Sequence, residues 1–209
     1  MSSSQYFAGV ADKWDAMRQV FFSDEVRKAA FRAAGIDTRA ILSLAADIGA
    51  GTGFITEELV RAGLRVVAVD PVPEMLAVLA KKPYAAAGNV ECKQGEAERL
   101  PLADASVDFA FANMSLHHVG TPASAISEMC RVLKPNGRAV ITDMDEHGFE
   151  DLSREHNDRW MGFPRADVAS WMSDAGFADI SIGSVGECCG GGIAGTGIGI
   201  FVASGRRPA

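Results

Sequence analysis

Three glycines at alternate positions stand behind a carboxylate in Asp47-Ile48-Gly49-Ala50-Gly51-Thr52-Gly53, and a second carboxylate, Asp70, follows at the end of an apolar run. Glycines in a strand-to-helix turn let backbone come close to a ligand, because no Cβ stands between them. A dinucleotide loop wants glycine at its first, third and sixth positions. Gly49 and Gly51 meet that pattern, but the sixth position is Phe54 and Gly53 comes one residue early. Asp47 would also set a negative charge beside a pyrophosphate. Repulsion disfavours that ligand, and the carboxylate suits a cationic group instead. Asp70 is where an acid can accept both hydroxyls of a ribose. Its bland alternative is a helix cap, and the glycine loop upstream at the right distance favours the ribose.

Other residues offer weaker chemistry. His117 and His118 follow a strand at the edge where such sheets bind ligands; His117 is the candidate base or acceptor contact, and His118 reads as packing beneath the loop. Between Glu146 and Phe163, His156 and Trp160 share a helical face and are candidate substrate contacts, while Glu155 and Arg159 read as a solvated pair. His147 and His156 with the nearby acids match no standard ligand spacing, so no metal is expected. Cys188-Cys189 are adjacent, a geometry that rarely bridges. They read as two loop thiols, or as a soft-ion site. Gly195-Thr196-Gly197 is a decoy, since a strand follows it and no acid precedes it.

The elements that must hold these residues alternate, strand with helix, as in a parallel sheet covered on both faces. Apolar spacing predicts a helical region over 6–34 stopped near Gly35. Strands are expected at 43–48, 66–70, 90–94, 107–112 and 138–143, and two more at 178–185 and 197–203. Helices are expected at 54–62, from Pro73, at 123–133 and at 165–175, with a turn at 134–137 and a helical insert over 146–160.

A chain of 209 residues, nearly half of them apolar, fits one domain with a sizeable core. A net charge of −7 argues against a nucleic-acid backbone as the main partner. No apolar run is long enough to cross a bilayer, and Met1-Ser2-Ser3-Ser4 does not open a secretion signal, so a cytoplasmic protein without a membrane partner is expected. Four cysteines do not make a disulfide framework; Cys92 and Cys130 read as small packed hydrophobes.

Further segments carry a resemblance. Val-Ala-Val-Asp-Pro at 67–71, Gly-Glu-Ala-Glu-Arg-Leu-Pro-Leu at 95–102, Ser-Val-Asp-Phe-Ala-Phe-Ala-Asn at 106–113 and Arg-Val-Leu-Lys-Pro-Asn-Gly-Arg at 131–138 follow the glycine loop in order. Together the five resemble the class I S-adenosylmethionine-dependent methyltransferases, small-molecule group, related to the ubiquinone and menaquinone biosynthesis enzymes. The resemblance implies an α/β, Rossmann-like three-layer sandwich with a seven-stranded, mostly parallel sheet in the order 3-2-1-4-5-7-6 and the last strand antiparallel. It implies one methyltransferase domain over 1–209, with a helical cap over 1–35, a cofactor-binding core over 42–143 and a substrate-side insert over 146–163.

For the cofactor, S-adenosyl-L-methionine with S-adenosyl-L-homocysteine as product, it assigns Asp47 and the backbone of Gly49, Ala50, Gly51 and Gly53 to the methionine end. Asp70 would hold the ribose, Pro71, Val72 and Met75 would flank the adenine, and Glu96 and Ala97 would meet its edge. Glu96 stands where relatives carry Asp. Asn113 would face the methionine end or the reacting methyl group, and Tyr6 and Trp14 in the cap, with His117, would wall the acceptor. The implied activity is methyl transfer to a small-molecule acceptor by a monomer or homodimer. Two alternatives are an arsenite or other soft-element methyltransferase using Cys188 and Cys189, against which Met114 stands where those enzymes carry Cys, and a non-catalytic cofactor-binding module.

Overall fold

The computed structural model of the chain describes residues 3–36, 40, 42–185 and 197–209; Cys188, Cys189 and Gly195-Thr196 lie outside the described residues. Seven strands form a single sheet: β1 (Leu44–Ile48), β2 (Arg65–Asp70), β3 (Val90–Gln94), β4 (Val107–Asn113), β5 (Leu133–Met144), β6 (Ala178–Ser184) and β7 (Ile200–Arg206). Their order is β3-β2-β1-β4-β5-β7-β6. The first five pair parallel, and β7 runs antiparallel to both β5 and β6. This is the expected architecture. The strand order reverses between β1 and β4, so a crevice opens at their carboxyl ends, the switch point where open α/β sheets take ligands.

Period-two alternation divides the core between the two faces of the sheet. On β4, Ala110 and Ala112 face one side with α6 (Pro122–Val132) and α8 (Arg165–Asp174), while Phe111 faces the other with α3 (Asp24–Ala34) and α4 (Phe54–Arg61). On β5, Ala139 and Ile141 join the first cluster and Val140 the second. Strands such as β2, buried from Val66 onward and apolar from there until Asp70, are what a sheet covered twice requires. The remaining helix of this set, α5 (Pro73–Ala80), begins with its proline in the first turn, as expected.

The helical region expected over 6–34 is broken into α1 (Ser3–Val10), a 3-10 turn at Ala11–Lys13, α2 (Trp14–Phe21) and α3. Phe22 is extended at the end of α2, and the hydroxyl of Ser23 accepts the Glu25 N–H at 3.3 Å to start α3 afresh. Gly35, at φ +63°, ends it. In the insert only α7 (Glu150–His156) is helical. The turn expected at 134–137 falls within the span of β5, marked by Asn136 at φ +66° and a register shift between Val107 and Phe109. The last strand starts at Ile200 rather than 197 and runs on to Arg206, because its length is set by its partners Met144 to Arg138.

Candidate active site

A cavity of 530 Å³ lies at the switch point. The loop after β1 forms its floor, the ends of β2 and β4 its sides, and α1 and α2 lie over it.

The loop's glycines meet three separate demands. All three have positive φ, +68° at Gly49, +52° at Gly51 and +93° at Gly53. A Cβ on Gly49 would meet the Ser115 Cβ at 2.5 Å, and one on Gly53 would meet the Tyr84 hydroxyl at the same distance. At Gly51 the nearest atom would be Trp14 Nε1 at 3.8 Å, so here the bare face opens to the cavity. The expectation that loop amides greet a ligand takes a different form. Gly49 and Ala50 donate to the Val69 carbonyl, Gly53 donates to Ala50, and Gly51 donates to Asp70 Oδ2 at 2.8 Å. Gly53 does not line the cavity.

Asp70, 7% exposed, also accepts the Val72 N–H at 2.9 Å. Each carboxylate oxygen keeps acceptor capacity toward the cavity. Burial pushes its pKa up to about 6, against the pull of those two N–H groups. Asp47 is buried and accepts both the N–H and the hydroxyl of Thr56 on one oxygen, at 2.9 and 2.6 Å. Burial raises it, too, to about 6. Pro71, Val72, Met75, Glu96, Ala97 and Asn113 all line the same cavity. Asn113 is held through its Oδ1, which accepts the Thr142 hydroxyl at 2.7 Å. Met114 follows at φ +48°, a conformation costly for a side chain with a Cβ and concentrated at functional sites.

The histidine pair is arranged differently from the sequence reading. His118 lines the cavity and His117 does not. His117 is 5% exposed, with its Nδ1 2.6 Å from Asp143 Oδ1. Asp143 Oδ2 also accepts the N–H groups of Leu116 and His117, so this one buried carboxylate shapes the whole turn after β4. Burial lowers the His117 pKa, but the Asp143 charge and hydrogen bond outweigh it and the net shift is upward. The backbone N–H groups of Arg159 and Trp160 donate to the His117 carbonyl. That brings Asp158 beside both imidazoles: its Oδ1 is 3.8 Å from His117 Nε2 and 3.6 Å from His118 Nδ1. No standard spacing announces this cluster, because Asp158 comes from the far side of the insert.

Among the remaining substrate candidates, Trp14 lines the cavity and Tyr6 does not; Tyr6 packs edge-on to Phe7. Trp160 is 39% exposed, lies outside the cavity lining, and donates its indole N–H to the Val119 carbonyl at 2.9 Å. His156 ends α7, and its side chain lies outside what the structure describes.

The cap contributes more than was foreseen. Phe7 packs edge-on to both Trp14 and His118, at 5.1 and 4.8 Å between ring centres. Arg18, one helical turn beyond Trp14, lines the cavity with its guanidinium 4.0 Å from the Phe54 ring centre. Its Nε is buried with no hydrogen-bond acceptor among the described residues. The i, i+4 spacing from Trp14 was the signal that could have found it. Asp15 clasps the cap to the floor, accepting the Thr52 hydroxyl at 2.6 Å and pairing with Lys82 at 2.7 Å.

Residues 46–141 match the family described as methyltransferase domain. An uncharacterized methyltransferase of Mycobacterium tuberculosis is 51% identical over 92 residues, 44% of this chain and 36% of that protein. The match thus spans little more than a third of that relative's length. A demethylmenaquinone methyltransferase of Paenarthrobacter aurescens is 29% identical over 84% of this chain and 78% of its own. Among solved structures, a Haemonchus contortus phosphoethanolamine N-methyltransferase, in complex with phosphomonomethylethanolamine and S-adenosylhomocysteine, superposes with a TM-score of 0.73. It is 18% identical over 88% of this chain and 52% of that one. The chain is thus similar to methyltransferases in sequence over its central part and in fold over most of its length.

Proposed function

We propose that the chain is an S-adenosylmethionine-dependent methyltransferase acting on a small-molecule acceptor. The observation that carries this reading is convergence: the glycine loop, Asp70, Glu96, Asn113 and the cap residues Trp14 and Arg18 all line one cavity. The bare face of Gly51 beneath Trp14 and the unsatisfied acceptor capacity of Asp70 fit a nucleoside there. The buried Arg18 Nε–H, with no acceptor among the described residues, suits the carboxylate at the methionine end.

When bound, the cofactor supplies an electrophilic methyl group on a sulfonium, whose departure leaves a neutral thioether. The chain's part is then alignment and exclusion of water, worth several kcal/mol when reacting atoms are held in line. Asp70 accepts from the ribose hydroxyls. Val72 and Met75 pack against the base, with Glu96 and the Ala97 backbone at its edge. The acceptor lies on the side walled by Phe7, Met114, His118 and Arg159. His117 acts as a positioning residue: Asp143 fully engages its Nδ1, and its carbonyl anchors the chain at Arg159. The aromatic wall and the likeness to proteins named demethylmenaquinone methyltransferase support an apolar, ring-bearing acceptor. Cap, core and insert act as parts of one catalytic domain.

Calorimetry with S-adenosylmethionine and S-adenosylhomocysteine tests the reading. Both should bind one per chain, and Trp14→Ala should weaken both. A folded protein that binds neither refutes the proposal.

A further inference from the structure

His118 lines the cavity, His117 lies buried beside it, and the two meet Asp158 in a cluster whose Nε2, Nδ1 and Oδ1 atoms the proposed methyl transfer does not engage. We propose that His117 Nε2, His118 Nδ1 and Asp158 Oδ1 form a binding site for a divalent transition-metal ion of the zinc type.

One donor atom from each of the three residues lies within 4.8 Å of the other two. The Asp158 side chain is 3% exposed, and its Oδ1 is buried without a hydrogen-bond partner among the described residues. Leaving a carboxylate oxygen so is costly unless something charged sits beside it. The separations of 3.8 and 3.6 Å are too long for hydrogen bonds. A proton on His117 Nε2 would therefore not reach Asp158. They are close to the edges of a tetrahedron around zinc: metal–ligand lengths of about 2.0–2.2 Å give ligand–ligand distances of roughly 3.3–3.6 Å. The two separations from Asp158 Oδ1 need to close by only a few tenths of an ångström, and the two imidazoles, bounded within 4.8 Å, would turn toward each other to complete the set.

The support behind the ligands is also that of a metal site. Asp143 binds His117 Nδ1 at 2.6 Å, which fixes the tautomer with its lone pair on Nε2 and turns that atom toward Asp158. A carboxylate behind a ligating imidazole is the usual outer partner in zinc sites. Asp143 and Asp158 bring two carboxylates into one buried pocket, and a divalent ion balances both. Imidazole and carboxylate donors together suit zinc, cobalt or iron rather than a soft metalloid. Bound there, the ion would tie the turn at Leu116–His118 to the segment carrying Arg159. It would thus fix two residues of the cavity wall, His118 and Arg159, from behind.

The test uses the full chain, stripped with a chelator and titrated with zinc alone, with bound metal counted per chain after desalting. One zinc per chain is expected, with a rise of several degrees in the unfolding temperature. Asp158→Asn and His117→Gln should each weaken binding roughly 100-fold or more, as loss of a ligand exceeds the 10–100-fold typical of outer partners, while His147→Gln should leave it unchanged. Should these variants misfold, cobalt substitution and zinc-edge absorption on the unaltered protein decide the matter, reporting a tetrahedral ion with two imidazoles. Substoichiometric binding, stoichiometric binding that survives Asp158→Asn, or a sulfur-rich ligand set pointing to Cys188 and Cys189 would each overturn the proposal. None of these readouts depends on methyl transfer.

Discussion

Asp70 concentrates the site's electrostatics in one side chain. It is buried and carries two backbone donors, and its pKa is pushed up to about 6. A ribose that donates to its carboxylate must compete with a proton below that value. The affinity for the adenosyl ligand should accordingly be flat above pH 6 and fall by up to tenfold per pH unit below it. Calorimetry in buffers of different ionisation enthalpy should detect the proton released on binding. Asp70→Asn keeps the shape but not the charge. Losing one charge-assisted bond, about 1.5–3 kcal/mol, should weaken binding roughly tenfold to a hundredfold and abolish this pH dependence. Gly49 makes a different kind of demand. Gly49→Ala sets a Cβ 2.5 Å from the Ser115 Cβ at φ +68° and should cost about 1–3 kcal/mol in a denaturant titration. Ser115→Ala should not rescue it, since the Cβ is the obstacle, whereas Ser115→Gly should recover part of the loss.

At the scale of elements, the cap rests on small contacts at large leverage. Asp15 joins α2 to Thr52 in the loop and to Lys82 beyond α5. Asp15→Ala removes a hydrogen bond and a part-exposed ion pair, together about 1–2 kcal/mol. The cap should therefore open roughly 5- to 30-fold more often, read as faster limited proteolysis within residues 3–23, while the sheet's unfolding midpoint hardly moves. An unchanged cleavage rate would mean that the aromatic contacts alone hold the cap.

The sequence made some of these elements legible and hid others, for physical reasons. Buried parallel strands such as β2 announce themselves by unbroken apolar runs ending in Asp70, and helix starts by Pro73 and Pro122. The glycine loop and Asp70 were readable because local backbone geometry demands their residue types. Arg18, Asp143 and Asp158 were not, because each acquires its meaning from a partner brought across the fold. Asp143 reads as the polar end of a strand until the turn at Leu116–His118 folds onto it. The same contact drew His117 inward and left His118 at the cavity, the reverse of the sequence expectation.

For the molecule as a whole, two raised carboxylates govern how stability follows pH. Burial holds the folded pKa values of Asp47 and Asp70 at about 6, against an ordinary value of 3.8. Between those values the folded state holds more protons than the unfolded one, so stability falls as pH rises. The unliganded protein should gain stability from these two groups as pH drops from 7 toward 5. Saturation with the adenosyl ligand should reduce that gain at Asp70, which the ligand keeps ionised. Thermal unfolding across this range, with and without ligand, measures both. Asp47→Asn should flatten the unliganded curve by its own share.

The position of Trp14 over Gly51 carries a consequence for traffic. On the proposed function the nucleoside would sit under the cap, on the side of the loop, and the methyl acceptor would dock against the wall that includes Arg159. Turnover should then be sequential and ordered, with the sulfonium donor arriving first and its thioether product leaving last. The spent nucleoside should inhibit competitively against the donor and noncompetitively against the acceptor, and the slowest event in each cycle should be the departure of that product as α1 and α2 lift.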